Sequence, residues 1–154
     1  MGMHQASVVW ERADGVKFVD NRYSRAHRWE FDGGAVVPAS ASPAVVPVPL
    51  SDPAGVDPEE AFVASLSSCH MLWFLFFAAK GGVVVESYRD EAVGHMEKNA
   101  DGSQWLARVV LRPAIRFSGA APDAAALAAM HDKAHHACFI ANSVKTEVTV
   151  EGIA

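Results

Sequence analysis

Cysteine is scarce in this chain: only Cys69 and Cys138 occur among its 154 residues. Two cysteines usually read as one structural disulfide. Here, however, no charged-then-apolar leader with a small-residue cleavage site marks the sequence for export, so a cytoplasmic location is expected. In that compartment a thiol pair is more often reduced, metal-bound or catalytic than a static staple. Basic charge is also short. Lys and Arg number 13 against 18 Asp and Glu, a net charge of −5. That balance opposes any general affinity for nucleic acid or anionic membranes. Absence of C-x2-C and H-E-x-x-H spacing removes the usual zinc signatures. Absence of a G-x-S-x-G elbow argues against a serine hydrolase. No repeat or long low-complexity block is present.

The length fits one domain over residues 1–154, large enough to bury its own core. About half the residues are apolar and a fifth charged, as in ordinary folded soluble proteins. Five of the eight prolines fall between Val36 and Pro53. That stretch cannot be helical and reads as an extended connection or edge segment. It is apolar rather than Gly/Ser-rich, so it is not a domain linker.

A strong helix start follows. Asp57 suits the N-cap, Pro58 the first helical position, and Glu60 completes an Asp-x-x-Glu capping box. Gly81-Gly82 ends the helix near Lys80. The run from Ala61 to Ala79 approaches the length of a membrane span. Ser65, Ser67, Ser68, Cys69 and His70 cluster at its middle, where a bilayer penalises them, and no basic flank precedes it. It reads instead as a buried central helix, apolar on every face, for which a second subunit is a natural cover.

Ala6–Arg12 and Tyr23–Phe31 read as strands joined through a turn at Asp14-Gly15. Val83–Lys98 is strand-like with polar interruptions. Gln104–Phe117 reads as one long strand with a bulge or edge at Pro113. Asp123 opens a second helix whose apolar line is Leu127, Met130, Ala134 and Cys138. Val144–Glu151 alternates as a final strand. The order predicts an α+β fold with mostly antiparallel sheet.

Chemistry centres on the thiols. Burial among apolar groups makes a thiol inert, so Cys69 and Cys138 read equally as small core residues. Against that, Ser67, Ser68 and His70 are poor choices for pure packing. Cys69 lies twelve residues beyond the Asp57 cap, and a helix dipole fades within the first turn, so a thiolate there needs a cation from elsewhere. Arg22, Arg25 and Arg28 supply candidates; in a strand, Arg22 and Arg28 share one face and Arg25 takes the other. His70, His131 and His135 with the two cysteines offer a Cys2His2 zinc set. Histidines in a polar helical stretch, however, are ordinarily solvated.

The run VDPEEAFVASLSSCHMLWF, the later ESYRDEAVG and the terminal HACFIANSVKTEVTV resemble the osmotically inducible protein C / organic hydroperoxide resistance (OsmC/Ohr) family. The resemblance extends from about Tyr23 to the end. It implies an intertwined homodimer in which sheets wrap two central helices. It also implies a thiol peroxidase acting on organic hydroperoxides and hydrogen peroxide. Cys69 then matches the peroxidatic cysteine and Cys138 the resolving cysteine. Glu59 matches the glutamate that holds a catalytic arginine. Phe139 stands where the family often has proline, and the glycine-rich loop that usually carries the arginine is missing. Arg25 takes that role by its place in YSRAHRW, with Arg22 and Arg28 as alternatives. No bound cofactor or metal is implied. An external dithiol is needed to reset the cysteines, and relatives use lipoylated proteins or dihydrolipoamide. On an unbroken helix Glu59 and Cys69 are about 15 Å apart. The expectation is a helix break near Ala61–Ser65 or an arginine that spans the gap, with Glu59 of a partner subunit as the remaining option. The competing function is a non-enzymatic dimer that holds an apolar ligand in a cysteine-lined pocket.

Overall fold

A computed structural model describes residues 2–152. The chain packs as two compact units, Met1–Ala61 and Phe62–Ala154. The elements are α+β, with two long helices and mostly antiparallel pairing, as expected.

In the first unit, β1 (Ala6–Val9), β2 (His27–Phe31) and β3 (Val36–Ala39) form an antiparallel sheet in that order. Both β1 and β2 are shorter than the sequence suggested. The intervening rings prefer one another to a ladder. Phe18 stacks on Tyr23 at 4.6 Å between centroids, and Trp10 meets Tyr23 edge-on at 5.3 Å. Trp10 Nε1 also donates to the Ser24 carbonyl at 2.8 Å. Arg22 and Arg25 therefore precede β2, and the expected strand alternation of the three arginines does not apply. The proline-rich stretch supplies β3 as an edge strand, where the amide that Pro38 lacks is tolerated. Gly55 passes so close to β3 that a Cβ there would lie 2.8 Å from the Ala39 carbonyl carbon.

Helix α1 (Pro58–Lys80) begins with the expected capping box. The Glu60 amide donates to Asp57 Oδ1 at 2.7 Å, and the Asp57 amide donates to Glu60 Oε2 at 3.1 Å. It runs unbroken, so the break expected near Ala61–Ser65 is not there. No proline or glycine interrupts that turn, and Ala61 and Ala64 favour it. Gly82, at φ 73°, closes the far end while the Val83 amide returns to the Ala78 carbonyl at 2.9 Å.

The second unit contains β4 (Val84–Asp90), β5 (Val93–Lys98), β6 (Gln104–Leu111), β7 (Pro113–Ser118), α2 (Ala124–Ala137) and β8 (Glu147–Val150). The two long strands read from the sequence each break in the middle. The halves join different sheets, β4 with β7 and β5-β6-β8. Asp90 fixes the corner. Its Oδ1 accepts from the Arg112 amide at 2.6 Å, and its Oδ2 accepts from the Ser67 hydroxyl. Pro113 then starts β7, where no ladder donor is required of it. Strand β8 begins three residues later than expected, after a 3-10 turn at Ala141–Ser143, and runs parallel to β6.

Two apolar clusters hold this unit. Phe74 and Ala78 of α1 meet Leu127 and Ala134 of α2 over β4 and β7. Leu66 packs on Val109 and Leu111 of β6, flanked by Val148 and Val150 of β8. Within α1 the buried residues are Leu66, His70, Phe74 and Ala78, a stripe at i, i+4 spacing. Around the rest of the helix, Leu72 and Phe76 stay exposed. By length and composition α1 is the one helix among the described residues apolar enough to cross a membrane. Its His70 stripe is instead packed against protein.

Candidate functional site: a thiol pair beside an apolar cavity

Cys69 sits mid-way along α1 and is half-buried; Cys138 is the C-cap of α2 and is fully buried. Both are free thiols. The two are neighbours, close enough for Cys69 to disfavour the Cys138 thiolate. Burial pushes the Cys138 thiol up to about 11, and the neighbouring Cys69 side chain adds to the rise. The Cys138 sulfur accepts from the Ala141 amide at 3.3 Å, which pulls the other way without reversing the effect. Cys138 therefore keeps its proton at neutral pH.

A cavity of about 600 Å³ opens against Cys69. Ser65, Ser68 and Cys69 supply its polar edge, while Leu72, Trp73, Phe76, Phe139 and Ile140 supply an apolar wall. Trp73 organises that wall. Its ring meets Phe139 edge-on at 5.5 Å and Phe76 edge-on at 5.6 Å. Phe139, directly after Cys138, is 70% exposed, so its contact with Trp73 serves the cavity rather than a core.

The neighbouring histidines behave differently from the sequence reading. His131 was expected to be solvated; it is buried instead. His70 Nε2 lies 2.9 Å from His131 Nδ1, and Phe74 stacks on the His131 ring at 4.5 Å. Burial lowers His70 to about 4, helped by the proximity of His131 and His135, and burial also lowers His131. The pair is neutral at physiological pH, one ring donating to the other. The i, i+4 stripe through Leu66 and Phe74 was the signal that would have placed His70 inside. Among the described residues no three metal-ligating side chains converge.

The other expected site residues lie in the first unit. Glu59 occupies the first turn of α1, half-buried. The Arg25 guanidinium donates to the Asn21 carbonyl at 2.9 Å, to Asn21 Oδ1 at 2.7 Å, and to the Tyr23 carbonyl. Arg28 pairs with Glu30 at 2.6 Å. Within one chain, and among the described residues, Glu59 forms no ion pair with Arg22, Arg25 or Arg28.

Comparison with known proteins adds a family frame. Residues 51–152 match the OsmC-like protein family. An OsmC-like protein of unknown function from Vibrio cholerae O1 biovar eltor is 60% identical, with a TM-score of 0.95 over 98% of this chain and 99% of its own. An organic hydroperoxide resistance protein OsmC from Legionella pneumophila is 16% identical, with a TM-score of 0.66 over 99% of this chain and 100% of its own. One from Elizabethkingia anophelis is also 16% identical, with a TM-score of 0.69 over 97% and 96%. These last two share the fold. No curated protein matches this chain in sequence.

Proposed function

This chain belongs to the OsmC-like protein family, and from that premise we propose that it is a cysteine-based peroxidase for organic hydroperoxides. One observation carries the reading: a buried, protonated Cys138 thiol neighbours Cys69, which lines an apolar cavity. A disulfide-forming pair needs its sulfurs close together, and an apolar wall favours a peroxide with a carbon substituent. Solved relatives of the same fold carry the name organic hydroperoxide resistance protein.

In this scheme the Cys69 thiolate attacks the terminal oxygen of R–O–O–H. The O–O bond breaks, Cys69 becomes a sulfenic acid, and the departing alkoxide takes up a proton to leave as R–OH. Cys138 then displaces hydroxide from the sulfenic sulfur. Its own proton leaves with that hydroxide as water, and a Cys69–Cys138 disulfide remains. An external dithiol, of the lipoyl type in the family resemblance, reduces the disulfide by exchange and is itself oxidised to a disulfide. Arg25 is the cation assigned to the thiolate, and Glu59 the carboxylate assigned to that arginine. Since the pair does not form within one chain, it is assigned to a homodimer. The exposed Leu72 and Phe76 on α1 are the apolar surface such a dimer would cover.

Titration of free thiols before and after one equivalent of cumene hydroperoxide tests this. Two thiols should disappear with saturable kinetics and return on adding dihydrolipoamide. Persistence of both thiols would make the cavity a binding pocket without turnover. Light scattering should give twice the chain mass.

A further inference from the structure

A buried polar contact between α1 and α2 takes no part in the peroxide chemistry. His70 and His131 are both almost fully buried, and His70 Nε2 lies 2.9 Å from His131 Nδ1. This is the only side-chain hydrogen bond between the two helices among the described residues. Its direction follows from its surroundings. His70 Nδ1 is buried and has no partner. A hydrogen there would be a stranded donor, so the His70 proton sits on Nε2 and points at His131 Nδ1. Phe74, one turn on from His70, stacks on the His131 ring at 4.5 Å and steadies it. The other contacts between the helices, of Phe74 and Ala78 with Leu127 and Ala134, are apolar. Apolar contacts resist separation but have no direction, so they fix register less sharply than a hydrogen bond does.

Register matters because of where the thiols sit. His70 directly follows Cys69 on α1. His131 lies about two turns before Cys138. The Cys138 amide is tied to the His135 carbonyl at 3.2 Å, so this thiol travels with α2. A slip of one residue moves a helix by about 1.5 Å along its axis. The Cβ atoms of a disulfide stay within about 3.5–4.5 Å of each other, a narrower range than that slip. We infer that His70 and His131 are positioning residues whose hydrogen bond pins α2 against α1 in the register that lets Cys138 reach Cys69. The role rests on the resolving step proposed above, in which the Cys138 sulfur bonds the sulfenic sulfur of Cys69 and the hydroxyl leaves with the Cys138 proton as water. The pin governs how often the two sulfurs meet. It does not touch the first attack on peroxide.

Two measurements read this role. The equilibrium of the Cys69–Cys138 disulfide with a glutathione redox buffer reports how closely the thiols are held, without any peroxide. Samples quenched at intervals after one equivalent of cumene hydroperoxide, read by mass spectrometry, separate sulfenic acid from disulfide. His70→Leu keeps an apolar side chain in place but removes the donor. Its disulfide should be about tenfold less favoured, roughly 30 mV for two electrons. Its sulfenic acid should last about tenfold longer, while the first oxidation keeps its parental rate. His131→Phe keeps the ring beside Phe74 and removes the acceptor; it should match His70→Leu, and it decides the matter if His70→Leu does not fold. His70→Gln carries an amide nitrogen near the Nε2 position and should stay within about twofold of the parent in both measurements. Leu66→Ala, which packs on β6, should lower the melting temperature without moving the redox equilibrium. The positioning role falls if the variants lacking the bond match the parent in redox equilibrium and sulfenic lifetime. It falls equally if His70→Gln loses as much as His70→Leu, or if Leu66→Ala shifts the equilibrium as far. A parent that keeps both thiols in peroxide, yet whose disulfide in glutathione still weakens on His70→Leu, would overturn the peroxidase reading and leave the pin standing.

Discussion

Cys138 and Cys69 are neighbouring free thiols, one capping α2 and the other lying mid-way along α1. The pair joins two elements whose cores are otherwise made by Phe74, Ala78, Leu127 and Ala134. It also gives the two thiols unequal roles. Cys138 is buried and stays protonated, whereas Cys69 borders the cavity.

That asymmetry predicts different losses on substitution. Cys69→Ser should abolish hydroperoxide turnover and leave the fold intact, since serine is close to isosteric at a half-buried site. Cys138→Ser should still consume one equivalent of peroxide and then stop, leaving Cys69 as a sulfenic acid that dimedone traps. Mass spectrometry reads the adduct. Steady cycling with dihydrolipoamide in the Cys138 variant would remove that residue from the scheme.

Phe139 and Trp73 should set the preference for carbon-substituted peroxides. Phe139→Ala removes one edge-to-face partner and opens the wall. The substrate then loses apolar wall to bury against, so KM for cumene hydroperoxide should rise several-fold, on the order of 1 kcal/mol of lost burial, with kcat little changed. Hydrogen peroxide, which has no group to touch the wall, should react as before. Equal effects on the two substrates would count against a specificity role.

Asp90 should matter more to stability than its half-buried setting implies. It satisfies the Arg112 amide and the Ser67 hydroxyl at the point where four strands change sheets. Asp90→Ala strands both donors and should lower unfolding free energy by about 1–3 kcal/mol in urea titration. Asp90→Asn retains acceptor capacity and should lose less. No difference between the two variants would mean the corner holds without these bonds.

Much of this was legible in the sequence because it is written locally. The Asp57–Glu60 capping box, the Gly81-Gly82 stop, the edge character of the proline segment and the Asp123 cap all depend on residues within one turn of each other. The long-range features were not legible. Whether Gln104–Phe117 is one strand or two is decided by Asp90, more than twenty residues away. The shortening of β1 and β2 is decided by rings at Trp10, Phe18 and Tyr23 that only the turn brings together. The burial of His131 is decided by His70 across two helices, and nothing in the polar stretch around His131 announces it. The site followed the same division. The thiols stood out by scarcity, but their proximity and the Trp73–Phe139 wall came from packing.

The buried His70–His131 pair predicts a specific acid sensitivity. In the unfolded chain both imidazoles titrate near their ordinary value of 6.5. In the folded protein burial holds His70 at about 4 and lowers His131 as well. Between those values the unfolded state binds more protons, so stability falls as pH falls from 6.5 toward 4 and is fully present above 6.5. For His70 alone the loss between pH 7.5 and 5 is on the order of 2 kcal/mol, and His131 adds in the same direction. Ordinary carboxylates titrate mostly below this window, which isolates the histidines. Urea unfolding at pH 7.5 and 5.0 should show the loss in the parent protein. His70→Gln cannot charge, so its unfolding free energy should change much less between the two pH values, even if it is lower at both. An equal pH dependence in the parent and the variant would show that the pair is not what couples folding to protons.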